Sequence, residues 1–261
     1  MDNLRLIPVA ALADNYIWLL ADASGAALVV DPGEAAPVRA ALQREGLTLR
    51  AILLTHHHPD HVGGVAELLA ATPVPVHAPV DARITTASAR VHDGDELDLP
   101  APALHFKVLG VPGHTLSHVA YHGHGVLFCG DTLFSVGCGR LFEGTPAQML
   151  ASLDRLAALP GETLVCCGHE YTLANCAFAE RVEPDNAALA QRRAEAQALR
   201  GRGLPTLPVA LGAERACNPF LRVDSPGIVA SVAADVPPGA DRVDRFAALR
   251  RRKDHFRAAA A

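Results

Sequence analysis

The 261-residue sequence has no run of about 18 uncharged apolar residues, so no segment reads as a bilayer-spanning helix. Its six cysteines (Cys129, Cys138, Cys166, Cys167, Cys176 and Cys217) include no C-x-x-C pair. They do not form the framework that staples a short secreted chain, and buried free thiols in a reducing compartment are the expectation. There is no basic excess: the formal net charge is −5, which argues against broad nucleic-acid binding. The opening MDNLRLIPVAALADNY carries an early acid and an internal proline and lacks the basic start and long apolar stretch of a signal peptide. A cytoplasmic protein is expected. Low-complexity segments and short-period repeats are absent too. What the chain does have is a half-apolar composition, sufficient for a large core, and 13 histidines, the first compositional hint of metal chemistry.

Short apolar runs alternate with turn clusters through the first two thirds. Residues 4–9, 16–20, 27–30, 51–54, 74–77, 104–109, 126–129 and 163–167 read as strands. Helical patterns cover 37–45, 64–71 and 147–159. The character changes after Tyr171. Residues 173–200 are rich in Ala, Glu, Gln and Arg at helical spacing, a proline-rich connection LPTLPVALG follows, and helical patches return near 228–234 and 241–252. The expected organisation is an α/β domain over 1–172 and a smaller, mostly helical domain over 173–261.

Four of the strand-like runs end in potential ligands. AILLT leads into His56-His57-His58-Pro59-Asp60-His61, FKVLGVP into Gly113-His114-Thr115, GVLFCG into Asp131 and TLVCCG into His169. Ligands gather beyond the carboxyl ends of strands in α/β sheets, so a sheet aligning these runs would bring the side chains together. His56 and His58 are two apart and share a side on extended chain, whereas His57 points away and is left out of the ligand set. Imidazole and carboxylate suit a divalent metal such as zinc, and the donors are too many for one tetrahedral ion but about right for two. His122 and His124 have the same spacing, yet no apolar run delivers them, and they read as a hairpin turn. His118 suits equally a partner for a ligand imidazole and an ordinary core histidine. Asp31 in VVDPG reads first as a turn cap, with a bond to a ligand as the lesser alternative. His77, His92, His105 and His255 receive no role.

THHHPDH with downstream PGHT, GDT and GHEYT resembles the metallo-β-lactamase superfamily. NYIWLL, GCGRLFEGT, CGHEYT, NPFLR and RRRKD resemble its glyoxalase II (hydroxyacylglutathione hydrolase) branch, so that the resemblance covers almost the whole chain. It implies an α/β, four-layer αββα sandwich with a smaller C-terminal helical domain. It implies that His56, His58 and His114 hold one metal, that Asp60, His61 and His169 hold a second, and that Asp131 bridges both. A hydroxide shared by two divalent ions is then the nucleophile, with no separate catalytic side chain. Zinc is expected, while iron and manganese are also accommodated by such donors. The implied reaction is hydrolysis of glutathione thioesters, S-lactoylglutathione to D-lactate and glutathione, a step of methylglyoxal detoxification. A thiolate leaves readily because its conjugate acid has a pKa of about 8.5.

For glutathione, the resemblance points to Arg140, Phe142, Tyr171, Asn175, Arg250 and Lys253, with the cations pairing a terminal carboxylate. Arg140 stands where some relatives carry Lys. Phe142 stands where some carry Tyr, and one hydroxyl is lost there. Without the resemblance the basic tail would read as a solvated helix face. A monomer without nucleic-acid or membrane partners is expected. The rivals are another enzyme of the superfamily, such as a persulfide dioxygenase or a lactonase, and a metal-binding protein without turnover. His58 argues against the oxygen-reducing diiron branch, which usually has an acid there.

Overall fold

The computed structural model describes residues 4–257. In chain order the elements are β1 (Arg5–Ala11), β2 (Asn15–Ala21), β3 (Ala26–Val30), α1 (Ala35–Glu45), β4 (Thr48–Leu53), α2 (Pro59–Val62), α3 (Val65–Ala71), β5 (Val76–Pro79), β6 (Ala89–Val91), β7 (Glu96–Pro100), β8 (Ala103–Gly110), β9 (Val119–Gly123), β10 (Val126–Gly130), β11 (Leu133–Phe134), β12 (Gly137–Cys138), α4 (Pro146–Ala157), β13 (Leu164–Cys167), α5 (Thr172–Val182), α6 (Ala187–Gly201), β14 (Val209–Ala210), α7 (Leu211–Cys217), α8 (Pro226–Val232) and α9 (Arg242–His255). Two sheets with flanking helices make the αββα sandwich, and the C-terminal region is helical. The chain divides into two compact units. The first comprises residues 1–110, 117–130 and 166–170, the second 111–116, 131–165 and 171–261.

In the first unit one sheet runs β1-β2-β3-β4-β5-β6. β1, β2 and β3 are antiparallel neighbours, and β3 to β6 are parallel. Every residue of β2 and β3 is buried, as expected of strands that read as continuous apolar runs. Ile17, Leu19, Val29 and Ile52 pack with Val38 and Ala41 of α1 and Leu68 of α3 in one core. α1 stops at Gly46, whose φ of 66° is the left-handed conformation that glycine adopts without cost. The other sheet sets β7, β8, β9 and β10 side by side, all antiparallel. β7, ELDLP, buries Leu97 and Leu99 and exposes its acids, a period of two.

In the second unit α4 begins with a reciprocal capping box between Thr145 and Gln148, and α9 with one between Asp241 and Asp244. The helical spacing over 173–200 belongs to two helices, α5 and α6. Pro184 lies between them, and Asn186 caps α6 by accepting from the Leu189 N–H. The connection LPTLPVALG is not purely a linker. Val209 and Ala210 form β14, which pairs with Leu164 and Val165 of β13, and Leu211 opens α7. His122 and His124 do not share a turn: His122 is in β9, paired with Leu127, and only His124 is in the turn, at φ 52°.

Candidate metal centre

Five of the seven expected ligands lie in the first unit. β4 ends at Leu53, and the next residues carry His56 and His58, with Nε2 of the former 3.1 Å from Nδ1 of the latter. The chain then turns into α2 with Pro59 at its first position, so Asp60 and His61 sit on one short helical turn. His61 Nε2 and His169 Nε2 are each 3.4 Å from Asp60 Oδ2. Asp60, His61 and His169 each offer a donor atom within 4.8 Å of the others, and so do Asp31, His56 and His61. The His56 and His61 rings are 4.2 Å apart between centroids.

The imidazoles are held from behind. Asp31 accepts from the Thr55 N–H (2.8 Å) and Thr55 Oγ1–H (2.6 Å), and it lies 3.1 Å from His61 Nδ1. Since Thr55 spends its hydroxyl proton on Asp31, its oxygen accepts from His56 Nδ1 at 3.0 Å. One carboxylate therefore orients two imidazoles, one directly and one through a hydroxyl. Asp31 is thus not primarily a turn cap. Its own backbone sits at φ 51° and its side chain faces the histidines. Asp14 likewise takes His169 Nδ1 at 2.8 Å. The strip 14–16 is zipped to the His169 segment by Tyr16 N–H to Gly168 O and Glu170 N–H to Asp14 O, both 2.8 Å. In each case the Nδ1–H is engaged and the Nε2 lone pair is directed inward, the tautomer a metal ligand needs. Asp60 combines opposing effects. Burial alone would raise its pKa, but without a metal, proton-bearing Nε2 atoms of His169 and His61, the charge on His61 and a bond from Asn15 hold the carboxyl far below the usual range; a bound cation would take the place of those protons. A carboxylate kept ionised beside imidazoles whose lone pairs converge is a donor set that fits a divalent cation.

His118 stacks on His56, with centroids 4.6 Å apart and planes 16° apart, while its Nδ1 meets Val119 O at 3.1 Å. It supports a candidate ligand by packing. Gly130 approaches Thr55 and His118 so closely that a Cβ would lie 2.3 Å from Thr55 Oγ1 and 2.9 Å from His118 Nε2. His57 lies 3.6 Å from Asp81, outside the candidate donor groups.

The remaining two expected ligands, His114 and Asp131, lie in the second unit, His114 Nε2 being 3.5 Å from Asp131 Oδ2. Here too the far nitrogen is engaged, with His114 Nδ1 2.9 Å from Arg140 O. The segment between them returns tightly: the Gly139 N–H bonds Thr132 O, and a Cβ at Gly139 would fall 1.9 Å from Asp131 O. Asp131, His114, Arg140, Phe142, Tyr171, Asn175, Arg250 and Lys253 all line one cavity of about 510 Å³ within this unit, so every expected substrate residue faces it. Their roles differ. Arg250 is buried, donates to Cys138 O at 2.8 Å, pairs with Asp254 and lies 5.1 Å over the Phe220 ring. Lys253 donates to Ala174 O and lies over the Phe178 and Phe256 rings. Burial, then the like charges of Arg250 and Arg140, push its pKa down to about 8. Arg140 is largely exposed and 3.8 Å from Asp254, and Phe142 is exposed with its ring edge-on to His114. Asn175 is buried and gives its amide to Ser135 O.

The sequence reading passed over Asp14, Thr55 and the Arg140 carbonyl. Asp14 and Thr55 flank apolar runs at the strand ends where ligands gather, and that position was the signal available. The carbonyl left none.

Residues 13–169 match the metallo-beta-lactamase superfamily, and residues 170–256 match the hydroxyacylglutathione hydrolase C-terminus. The chain is 58% identical to the hydroxyacylglutathione hydrolase of Xanthomonas campestris pv. campestris, over 98% of this chain and 100% of that one. It is 55% identical to the hydroxyacylglutathione hydrolase of Methylobacillus flagellatus, over 97% and 99%. Among solved structures, ETHE1 from Myxococcus xanthus is 31% identical with a TM-score of 0.57, over 82% of this chain and 99% of that one. The B3 metallo-beta-lactamase BLEG-1 is 26% identical with a TM-score of 0.63, over 84% and 99%. With both family models matched in tandem and end-to-end similarity to such relatives, the chain belongs to the metallo-beta-lactamase superfamily and, within it, to the hydroxyacylglutathione hydrolases.

Proposed function

We propose that the chain hydrolyses glutathione thioesters, S-lactoylglutathione to D-lactate and glutathione foremost, as a monomer in the cytoplasm. The observation that carries this reading is the donor set itself, imidazoles with Nδ1 engaged and Nε2 facing the Asp60 carboxyl. His56, His58 and His114 hold one divalent ion, Asp60, His61 and His169 a second, and Asp131 both. Zinc is the preferred metal, since a borderline-soft cation accepts imidazole, carboxylate and a departing thiolate alike. When bound, such a pair of ions supplies an ionised water at neutral pH and polarises a carbonyl.

The chain's own residues do the rest. Asp31 and Asp14 hold the imidazoles in the tautomer that leaves Nε2 for the metal. The domain after residue 172 binds substrate. Lys253 and Arg140 meet a carboxylate of the tripeptide, Arg250 supports them from its seat on Cys138 O, and Tyr171 and Phe142 wall the thioester. The leaving thiolate needs no general acid, which suits a site with none assigned. Six buried free cysteines support a reducing compartment.

The alternative is a persulfide dioxygenase of the same superfamily. The test is substrate discrimination by the purified protein. Cleavage of S-lactoylglutathione, without oxygen consumption on glutathione persulfide, supports the thioesterase reading. Oxygen consumption without thioester cleavage reverses it.

A further inference from the structure

The hairpin β11–β12 stands on a buried polar network that none of the roles above uses. Its turn is unfavourable on its own: Val136, a β-branched residue, sits at φ 58°. What holds it there is Glu214 of α7, which has no solvent exposure. One carboxylate oxygen accepts from Ser135 Oγ at 2.8 Å, and the other accepts from the Val136 N–H at 2.7 Å and from Asn218 Nδ2 at 3.1 Å. Arg192 of α6, also buried, donates from Nε and Nη2 to the same Ser135 hydroxyl and from Nη2 to Thr206 O. Asn218 reaches Phe134 O and Gly137 O as well.

A carboxylate this deeply buried is costly unless its lone pairs are met and a counter-charge is near. Apolar packing would serve if all that was needed were a core. The network acts on one short piece of chain, and that piece matters to the cavity. Phe134 and Cys138 line it, and Cys138 O is the seat of Arg250. Asp131 and Arg140 lie just outside the hairpin's two ends.

We propose that Glu214 is a positioning residue for the substrate cavity: through Ser135 and the Val136 N–H, with Arg192 as counter-charge, it fixes the hairpin so that Phe134, Cys138 and the Arg250 seated on Cys138 meet the ligand as a preformed wall. This rests on the glutathione-thioester reading for its kinetic consequence but not for its structural one, and the two are measured separately. Glu214→Gln keeps an acceptor for the Val136 N–H but turns an amide toward a hydroxyl already engaged by Arg192. It retains the fold, and mapped alkylation shows Cys138 reacting with iodoacetamide more than about fivefold faster than in wild type, because the wall opens. KM for S-lactoylglutathione rises about tenfold while kcat falls by less than that. Ser135→Ala shifts both readouts the same way by a smaller factor. The double variant is no worse than Glu214→Gln alone, because both act through one network.

Unchanged Cys138 reactivity in both single variants overturns the proposal whatever the substrate. A lowered Tm with unchanged Cys138 reactivity and unchanged KM does the same, since it marks a purely structural carboxylate. If Glu214→Gln fails to fold, Ser135→Ala alone decides: faster Cys138 alkylation supports the proposal and an unchanged rate overturns it. A wild-type protein inert toward S-lactoylglutathione whose Cys138 still becomes reactive in the variants defeats the functional reading and leaves the positioning role standing.

Discussion

The two compact units solve opposite electrostatic problems. The first gathers imidazoles around Asp60 and backs them with the acids Asp31 and Asp14, a lattice of lone pairs that favours cations. The second lines its cavity with Arg140, Arg250 and Lys253, a surplus of positive charge that favours anions. The first spends its acids on holding histidines still. The second leaves one cation, Lys253, half-buried, so that it loses its charge as pH rises through about 8. Site chemistry here depends on what each group faces and less on the chain's overall balance, which is only −5.

Removing Asp131 is the harshest way to break the contrast, because the proposed bridge serves both ions. Asp131→Ala should lose both metals and lower kcat/KM by more than about 100-fold, beyond the range for groups that only orient a ligand. A variant retaining two metals and normal turnover refutes the ligand assignment. Next comes the backing lattice. Asp31→Ala should weaken metal affinity by about 10–100-fold, and Asp14→Ala by less than Asp31→Ala because it releases one imidazole instead of two. Equilibrium chelator competition reads both, and equal losses would contradict the shared-carboxylate geometry.

On the anion side, Arg250→Ala with Lys253→Ala should raise KM for glutathione thioesters by about 10–100-fold and spare small thioesters that lack the glycine carboxylate. Loss on both substrate types counts against the clamp. The smallest effect is a pH dependence. Lys253 is charged below about 8 and neutral above it, so anion affinity is full at lower pH and declines as pH rises through that value. A bound carboxylate raises the pKa again, so binding above pH 8 takes up a proton. KM for the glutathione thioester should rise across this window, and Lys253→Arg should flatten the rise. A wild-type KM that is level from pH 7 to about 9.5 removes Lys253 from the clamp.

Much of this was legible in the sequence where chemistry is local. His56, His58, Asp60 and His61 fall within one loop and turn, and the apolar run that delivers them is a strand whose carboxyl end lies within one residue of the expected position. The partners were not legible. Asp31 reaches His61 across 30 residues and Asp14 reaches His169 across 155, distances at which no spacing rule operates. The small strands β6, β11, β12 and β14 were missed for a related reason. Each is only two or three residues long and depends on a partner strand, with no pattern of its own. Glu214 carried no local signal, because its burial is decided by tertiary packing.

The most direct test of the central claim is a metal titration of the stripped protein, with S-lactoylglutathione hydrolysis followed at each step. Two ions sharing one carboxylate predict activity that climbs to a plateau at two equivalents of zinc per chain, with Asp131→Ala flat throughout. A plateau at one equivalent, or turnover that never depends on added metal, contradicts the account.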